Sequence, residues 1–426
     1  MTTEIELRAY AKINLYLGVE PRTVAALGQQ PAAAGQQPVS ALEQRAAAGQ
    51  QPVPALGRRA ESPAEQAVEQ RHQLRSVFAT VSLHDSLHFA FAERVVEEDV
   101  ALALAAGVAA PAATGSAAAT VAPPAAPSVA PPAATGSADA APAVAGSATC
   151  LPVEVIVCAE PALALAAIAP EDNLITKAVR AFEAALATDY DRSVPASHLR
   201  VTLKKRIPAQ AGLGGGSADA AATIQALAQH CGLSVQKDAD FLHRVARAVG
   251  ADVAFFLAGG CALMGGFGDV LEQRLPSPVP ALDIVVIKPA EGLSTASVYA
   301  AFDAAPVLPA ALEPLLGVLK NGGAFEEAAG QSDRPSCPRG SDLLARLGGI
   351  ARSLANNLEP AAEALLPELA RLKAELAARP GVLTARLCGS GSALFALCAS
   401  PREAQNVAEH FAARGFWSRA AQTVSP

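Results

Sequence analysis

Residues 208–218 read Pro208-Ala209-Gln210-Ala211-Gly212-Leu213-Gly214-Gly215-Gly216-Ser217-Ala218. Four glycines in five positions permit a turn with positive φ and leave backbone N–H groups bare. Leu199, Val201 and Leu203 alternate with polar residues just upstream, and the segment after the glycines is small and alanine-rich. The order is strand, glycine loop, helix, with Ser217 expected as the N-cap. Such a unit aims unpaired N–H groups and the positive end of a helix dipole at one spot, and phosphate is its natural occupant. Neither the Gly-Lys-Ser/Thr of a Walker loop nor the G-x-G-x-x-G dinucleotide fingerprint is present. A flexible linker would be flanked by more linker, and here a strand and a helix flank the loop.

Other residues invite two readings each. Lys12 and Asn14 lie two apart in an apolar strand, so they share a face. On an edge strand such a face meets solvent. Tyr10, Lys12, Asn14 and Tyr16 together could instead line a cleft, with Ala9, Ala11, Ile13, Leu15 and Leu17 buried behind them. Asp252 heads the apolar run 253–257. It reads either as the N-cap of a short helix or as a general base that takes or orients a hydroxyl proton. A lysine beside it would keep it ionised and stabilise charge on a transferring phosphoryl group. Gly389-Ser390-Gly391-Ser392 is a tight turn or a second backbone nest over phosphate. His72 on its own reads as a structural histidine.

The elements that must position these residues form an α+β pattern. Strands are expected over 5–19, 151–157, 261–265, 282–287, 382–388 and 393–398. Segments 77–83 and 87–92 flank His84-Asp85-Ser86 and suggest a hairpin. Helices are expected over 172–186, 217–230, 237–249, 294–303, 341–352, 359–378 and 402–414. This predicts two lobes, 1–280 and 281–426. Three stretches have no bulky periodic face: 23–70, 106–149 and 321–340. They cannot bury enough apolar area to offset their ordering entropy and are expected to be disordered insertions. Two of them carry duplicated strings, at 32–39 and 46–53 and at 111–117 and 132–138, too short and polar to stack as repeats.

Composition narrows the partners. The chain has 426 residues and a net charge of −7, with no strongly basic patch, so nucleic acid is not expected. Seven cysteines without a C-x-x-C pair point to reduced thiols and a cytoplasmic protein, not a disulfide frame or a zinc site. The start is acidic and lacks an apolar signal core, and the alanine-rich runs are broken by Pro, Gly or charge, so no membrane association is expected.

Lys12-Ile13-Asn14-Leu15, the 208–217 loop, Gly250-Ala251-Asp252-Val253 and Gly389-Ser390-Gly391 together resemble the GHMP small-molecule kinases. Pro170 to Leu174, Phe255 to Gly260, Lys288-Pro289 and Ser294-Thr295 are similar to the branch that phosphorylates a cytidine-diphosphate-linked sugar alcohol. The likeness spans nearly all of the chain outside the three insertions. It implies an N-terminal lobe like domain 2 of ribosomal protein S5 and a ferredoxin-like C-terminal lobe. It implies ATP and Mg²⁺, with Lys12 and Asp252 catalytic and residues 208–218 holding the nucleotide. Asn14 and Thr295 would then contact substrate near the reacting hydroxyl, and His72 and Tyr299 would serve a cytosine pocket. The family's Asp-Gly-Tyr before that histidine reads Glu69-Gln70-Arg71 here, which removes one stacking face and offers a guanidinium plane instead. A GHMP kinase acting on homoserine or mevalonate, or a non-catalytic sensor of the same fold, are the competing readings.

Overall fold

The computed structural model describes residues 2–22, 72–92, 150–160, 163, 169, 171–278, 281–321 and 340–425. The expected insertions 23–70, 106–149 and 321–340 lie outside these residues apart from their edge positions 321 and 340, as do Glu69, Gln70 and Arg71.

The first half of the chain forms β1 (Thr2–Val19), β2 (Leu74–Ala92), β3 (Val153–Ala159), α1 (Leu174–Tyr190), β4 (His198–Lys205), α2 (Gly215–His230), α3 (Ala239–Val249), α4 (Val253–Ala258), β5 (Cys261–Gly265) and β6 (Val270–Leu275). The second half contributes β7 (Asp283–Lys288), α5 (Thr295–Ala304), α6 (Glu313–Asn321), α7 (Gly340–Ser353), β8 (Ala355–Asn356), α8 (Glu359–Leu365), α9 (Glu368–Ala377), β9 (Val382–Leu387), β10 (Leu394–Cys398), α10 (Pro401–Ala412) and β11 (Trp417–Gln422).

One sheet runs β3-β4-β2-β1-β8, with β5 branching from β2 and β6 from β5; the other runs β11-β7-β10-β9. The branch corrects the expected hairpin at residues 84–86. There β2 is one continuous strand whose early part pairs with β5 and whose later part pairs with β4. Opposite β1 its register slips between Tyr10↔His84 and Lys12↔Thr80, a bulge that lets the strand change partners. His84-Asp85-Ser86 has turn composition but strand geometry, because Asp85 finds buried partners far along the chain. At the same bulge Val81 bridges Thr423, joining the sheets.

The core is layered. Phe89, Phe91 and Val201 of the first sheet pack with Phe182 of α1, Ile224 of α2 and Phe241 of α3. Between the sheets lie Ile13, Leu15, Val77, Ile284, Val286 and Phe395. Val285, Ile287, Phe302, Leu369 and Phe411 fill the outer face of the second sheet. Because β1 is covered on both sides, Lys12 and Asn14 are buried like Ile13 between them. The alternation in the sequence does not mark a wet face.

Local signals account for several ends. Asn173 caps α1 by accepting from the Ile175 N–H, and Ser400 caps α10 by accepting from the Glu403 N–H. The single helix expected over 359–378 is two helices, because Pro367 cannot continue the hydrogen-bond ladder. β6, α6 and β11 are further elements that the periodicity did not reveal.

Candidate active site

The glycine segment leaves β4 and enters α2 as expected, with one change of detail. Gly214, in the left-handed region at φ 71°, is the N-cap, and the helix begins at Gly215; Ser217 sits in its first turn. Tight packing explains the choice of glycine over a capping side chain. A Cβ on Gly214 would lie 2.7 Å from the Phe256 ring and 3.3 Å from Lys12 Cε. The first-turn N–H groups have no intrahelical acceptor and remain as anion donors. The helix itself is alanine-rich because it is buried on most sides, including Ala218, Ala220, Ala221 and Ala222.

The Lys12 backbone meets this loop, and its side chain lies beside it. Its backbone N–H donates to the Leu213 carbonyl at 3.0 Å. Its ammonium donates to Asn14 Oδ1 at 2.9 Å, stands 3.5 Å from Asp252 Oδ2 and lies 4.6 Å from the Phe78 ring centre. Asn14 is fixed in turn by donating to Ser76 Oγ at 2.8 Å, and Ser76 donates to the Tyr16 carbonyl. Asp252 occupies the N-cap position of α4 but makes no side-chain cap bond. Its carboxylate is aimed at Lys12 instead and is about one-third exposed (32 %). Asp252 therefore has the position of a cap without the cap bond, and its side chain faces Lys12.

The 389–392 segment closes against the loop from the second sheet. The Ser392 N–H donates to the Gln210 carbonyl at 3.0 Å and the Ala393 N–H to that of Ala211 at 3.3 Å. Asn356, on β8, donates to the carbonyls of Gly389 and Leu387 at 2.7 and 3.1 Å. Sequence reasoning missed Asn356 and Ser76: each stands beside another polar residue, Asn357 and Arg75, so the local pattern set neither apart. Thr295 Oγ1 lies 3.0 Å from Ser390 Oγ.

These pieces enclose a cleft of about 1390 Å³. Lys12, Asn14, Asp252, Thr295, Tyr299 and each residue from 208 to 217 line it, whereas Ala218 turns into the core. His72 does not line it. That ring is buried, bonded through Nε2 to Asp303 Oδ1 at 2.6 Å, and packed 4.9 Å from the Tyr299 ring. Burial and the nearby Asp252 charge push the Tyr299 hydroxyl up to about 12, so it stays a neutral donor. Lys205 and Asp219 also border the cleft. Burial pushes the Asp219 carboxyl up to about 7, against the pull of Lys205 and with the push of Asp85. Burial opposes the Lys205 charge, but the two carboxylates outweigh it and raise that pKa.

An anion cradle facing a lysine–aspartate pair, at the junction of these two sheets, is the arrangement of a GHMP-type small-molecule kinase. The family model for the N-terminal domain of GHMP kinases matches residues 173–260, and that for their C-terminal domain matches 341–415. The chain belongs to the 4-diphosphocytidyl-2-C-methyl-D-erythritol kinase family. It is 34% identical over 247 residues to the enzyme of that name from Desulfitobacterium hafniense, covering 58% of this chain and 73% of that protein. It is 36% identical over 250 residues to the one from Xanthobacter autotrophicus, covering 58% and 75%. A crystal structure of 4-(cytidine 5'-diphospho)-2C-methyl-D-erythritol kinase shares the fold, with a TM-score of 0.53 at 23% identity over 99% of this chain and 100% of that one. Among the described residues no helix is long and apolar enough to cross a membrane.

Proposed function

We propose that this chain transfers the γ-phosphoryl group of ATP to the 2-hydroxyl of 4-diphosphocytidyl-2-C-methyl-D-erythritol, giving the 2-phosphate used in non-mevalonate isoprenoid synthesis. The observation that carries the chemistry is the Lys12–Asp252 pair beside the glycine loop. The N–H groups of the loop and of the first turn of α2 hold the triphosphate. Asp252 accepts or orients the proton of the attacking hydroxyl, and Lys12 stabilises charge on the phosphoryl group in flight. Asn14 sets the Lys12 ammonium and faces the acceptor, and Thr295 holds the acceptor from the opposite wall. Tyr299 presents its ring to the cytosine, and His72 acts through Tyr299 from behind.

Among the described residues no three carboxylate, histidine or cysteine side chains converge as a cation cage. Mg²⁺ carried on a nucleotide needs only one or two protein oxygens, and the Ser217 hydroxyl, half-buried on the cleft wall, fits that need. When bound it neutralises charge on the phosphates. We also place a lobe division near residue 280, supported by a first sheet drawn mainly from residues 2–275 and a second drawn from 283 onward. The free cysteines among the described residues support a cytoplasmic setting.

The test is ATP-dependent ADP release with a panel of the CDP-linked alcohol, homoserine and mevalonate. Turnover confined to the CDP-linked alcohol is expected. Turnover of homoserine or mevalonate alone overturns the substrate assignment, and ATP binding without turnover of any of the three overturns the enzymatic one.

A further inference from the structure

Beneath the glycine loop lies a buried ionic cluster that the proposed chemistry does not use. Lys205, the last residue of β4, donates to Asp85 Oδ2 at 2.5 Å and to Asp219 Oδ2 at 2.7 Å. The other oxygen of Asp85 accepts the backbone N–H groups of Arg206 at 2.5 Å and Ile207 at 2.9 Å. Asp85 is fully buried inside β2, opposite Ala9 of β1. A carboxylate is costly there unless it is both paired and hydrogen-bonded, and a β-branched residue would suit the strand better.

All of its partners lead to one place. Arg206 and Ile207 are the two residues before Pro208, where the loop begins. Lys205 reaches under the other end, since a Cβ on Gly215 would come within 3.1 Å of its Nζ. Asp219 belongs to the opening turns of α2, and its Oδ1 is buried without a hydrogen-bond partner. One side chain on a distant strand thus fixes the backbone at the start of the loop and, through Lys205, the helix at its end.

We propose that Asp85 is a positioning residue for the nucleotide, holding the two ends of the 208–217 loop at the separation that aims its N–H groups at the phosphates. This rests on the reading of that loop as the ATP site. Asp85 touches no substrate. Its effect is geometric, and a misplacement of about 1 Å in a binding loop is worth about 10²-fold.

The experiment compares wild type, Asp85→Asn and Asp85→Ala by melting temperature, nucleotide Kd with a non-hydrolysable ATP analogue, and KM for ATP and for the alcohol. In Asp85→Ala the ATP KM and analogue Kd are expected to rise at least about tenfold while the alcohol KM stays within about twofold. Asp85→Asn is expected to fall between, because its amide oxygen still accepts the backbone N–H groups while its NH₂ abuts Lys205. Folded variants with wild-type ATP KM, or with both KM values raised by one factor, overturn the proposal. Should Asp85→Ala not fold, Asp85→Asn is judged by the same two criteria. Wild-type protein that binds no analogue would refute the loop reading itself, a result separate from any effect at Asp85.

Discussion

Lys12 Nζ stands 3.5 Å from Asp252 Oδ2, although one residue is in the first strand and the other stands at the N-cap position of a helix far along the chain. With Asn14 and the Phe78 ring on its other sides, the ammonium is buried with an anionic, a neutral and an aromatic neighbour. A buried cation so surrounded has little freedom to move.

Removing either member of the pair is therefore expected to act on the chemical step. Asp252→Asn should lower kcat by about 10²–10⁴-fold with little change in ATP KM, as for loss of a general base. Lys12→Met should lower kcat by about 10²–10³-fold, as for loss of one group stabilising the transition state. Steady-state kinetics at saturating ATP check both. An Asp252→Asn enzyme with near-native kcat would remove Asp252 from the mechanism.

Gly212 tests the contact between the two glycine segments. It has φ 71°, and a Cβ there would lie 1.8 Å from the Cys388 carbonyl oxygen, a backbone atom that cannot swing away. Gly212→Ala should cost about 2 kcal/mol or more and abolish analogue binding. Gly232→Ala is the control: the same φ of 71°, but nothing within 4 Å of the added methyl. It should cost about 1 kcal/mol of left-handed strain and leave binding intact. Denaturant melts and calorimetric titrations distinguish the two; equal losses would mean that strain alone matters.

The described residues that flank 23–71 meet at one point. Val19 pairs with Leu74, the Glu20 N–H donates to the Gln73 carbonyl at 2.9 Å, and Arg22 and His72 both reach Asp303. A turn of a few residues can close such a ladder. Replacing 23–70 with a short Gly/Ser turn should preserve the fold and kcat, with a gain of up to about 2 kcal/mol from the shorter loop. A tenfold rise in the alcohol KM alone would show that the segment helps to form the cytosine pocket.

Thiol reactivity reads the packing behind the site. Burial pushes Cys388 up to about 12, beyond the opposing effect of Lys12, and pushes Cys261 and Cys398 up to about 12 and Cys231 to about 11. The thiolate is the reactive form, so at pH 8 these four should resist iodoacetamide. Cys150 and Cys158 are exposed and should be alkylated first. Peptide mass spectrometry of a time course checks this; labelling of Cys388 as fast as Cys150 would contradict the closed contact beside Gly389.

What the sequence determined by itself is local stereochemistry. Four glycines before a run of alanines allow little besides a tight loop feeding a helix, because positive φ and helix propensity are properties of neighbours. The caps Asn173 and Ser400 are likewise local, each accepting an N–H within three residues. Tertiary structure decided whatever depends on partners distant in the chain. Asp85 has the composition of a turn but sits inside a strand, because Lys205 and the backbone at 206–207 satisfy it there. Lys12 belongs to a strand covered on both sides; alternation left an edge-strand and a cleft reading open, and only the fold sets it against Asp252. A charge is tolerated in the interior only where its partner is fixed in space, and sequence spacing alone does not specify that meeting.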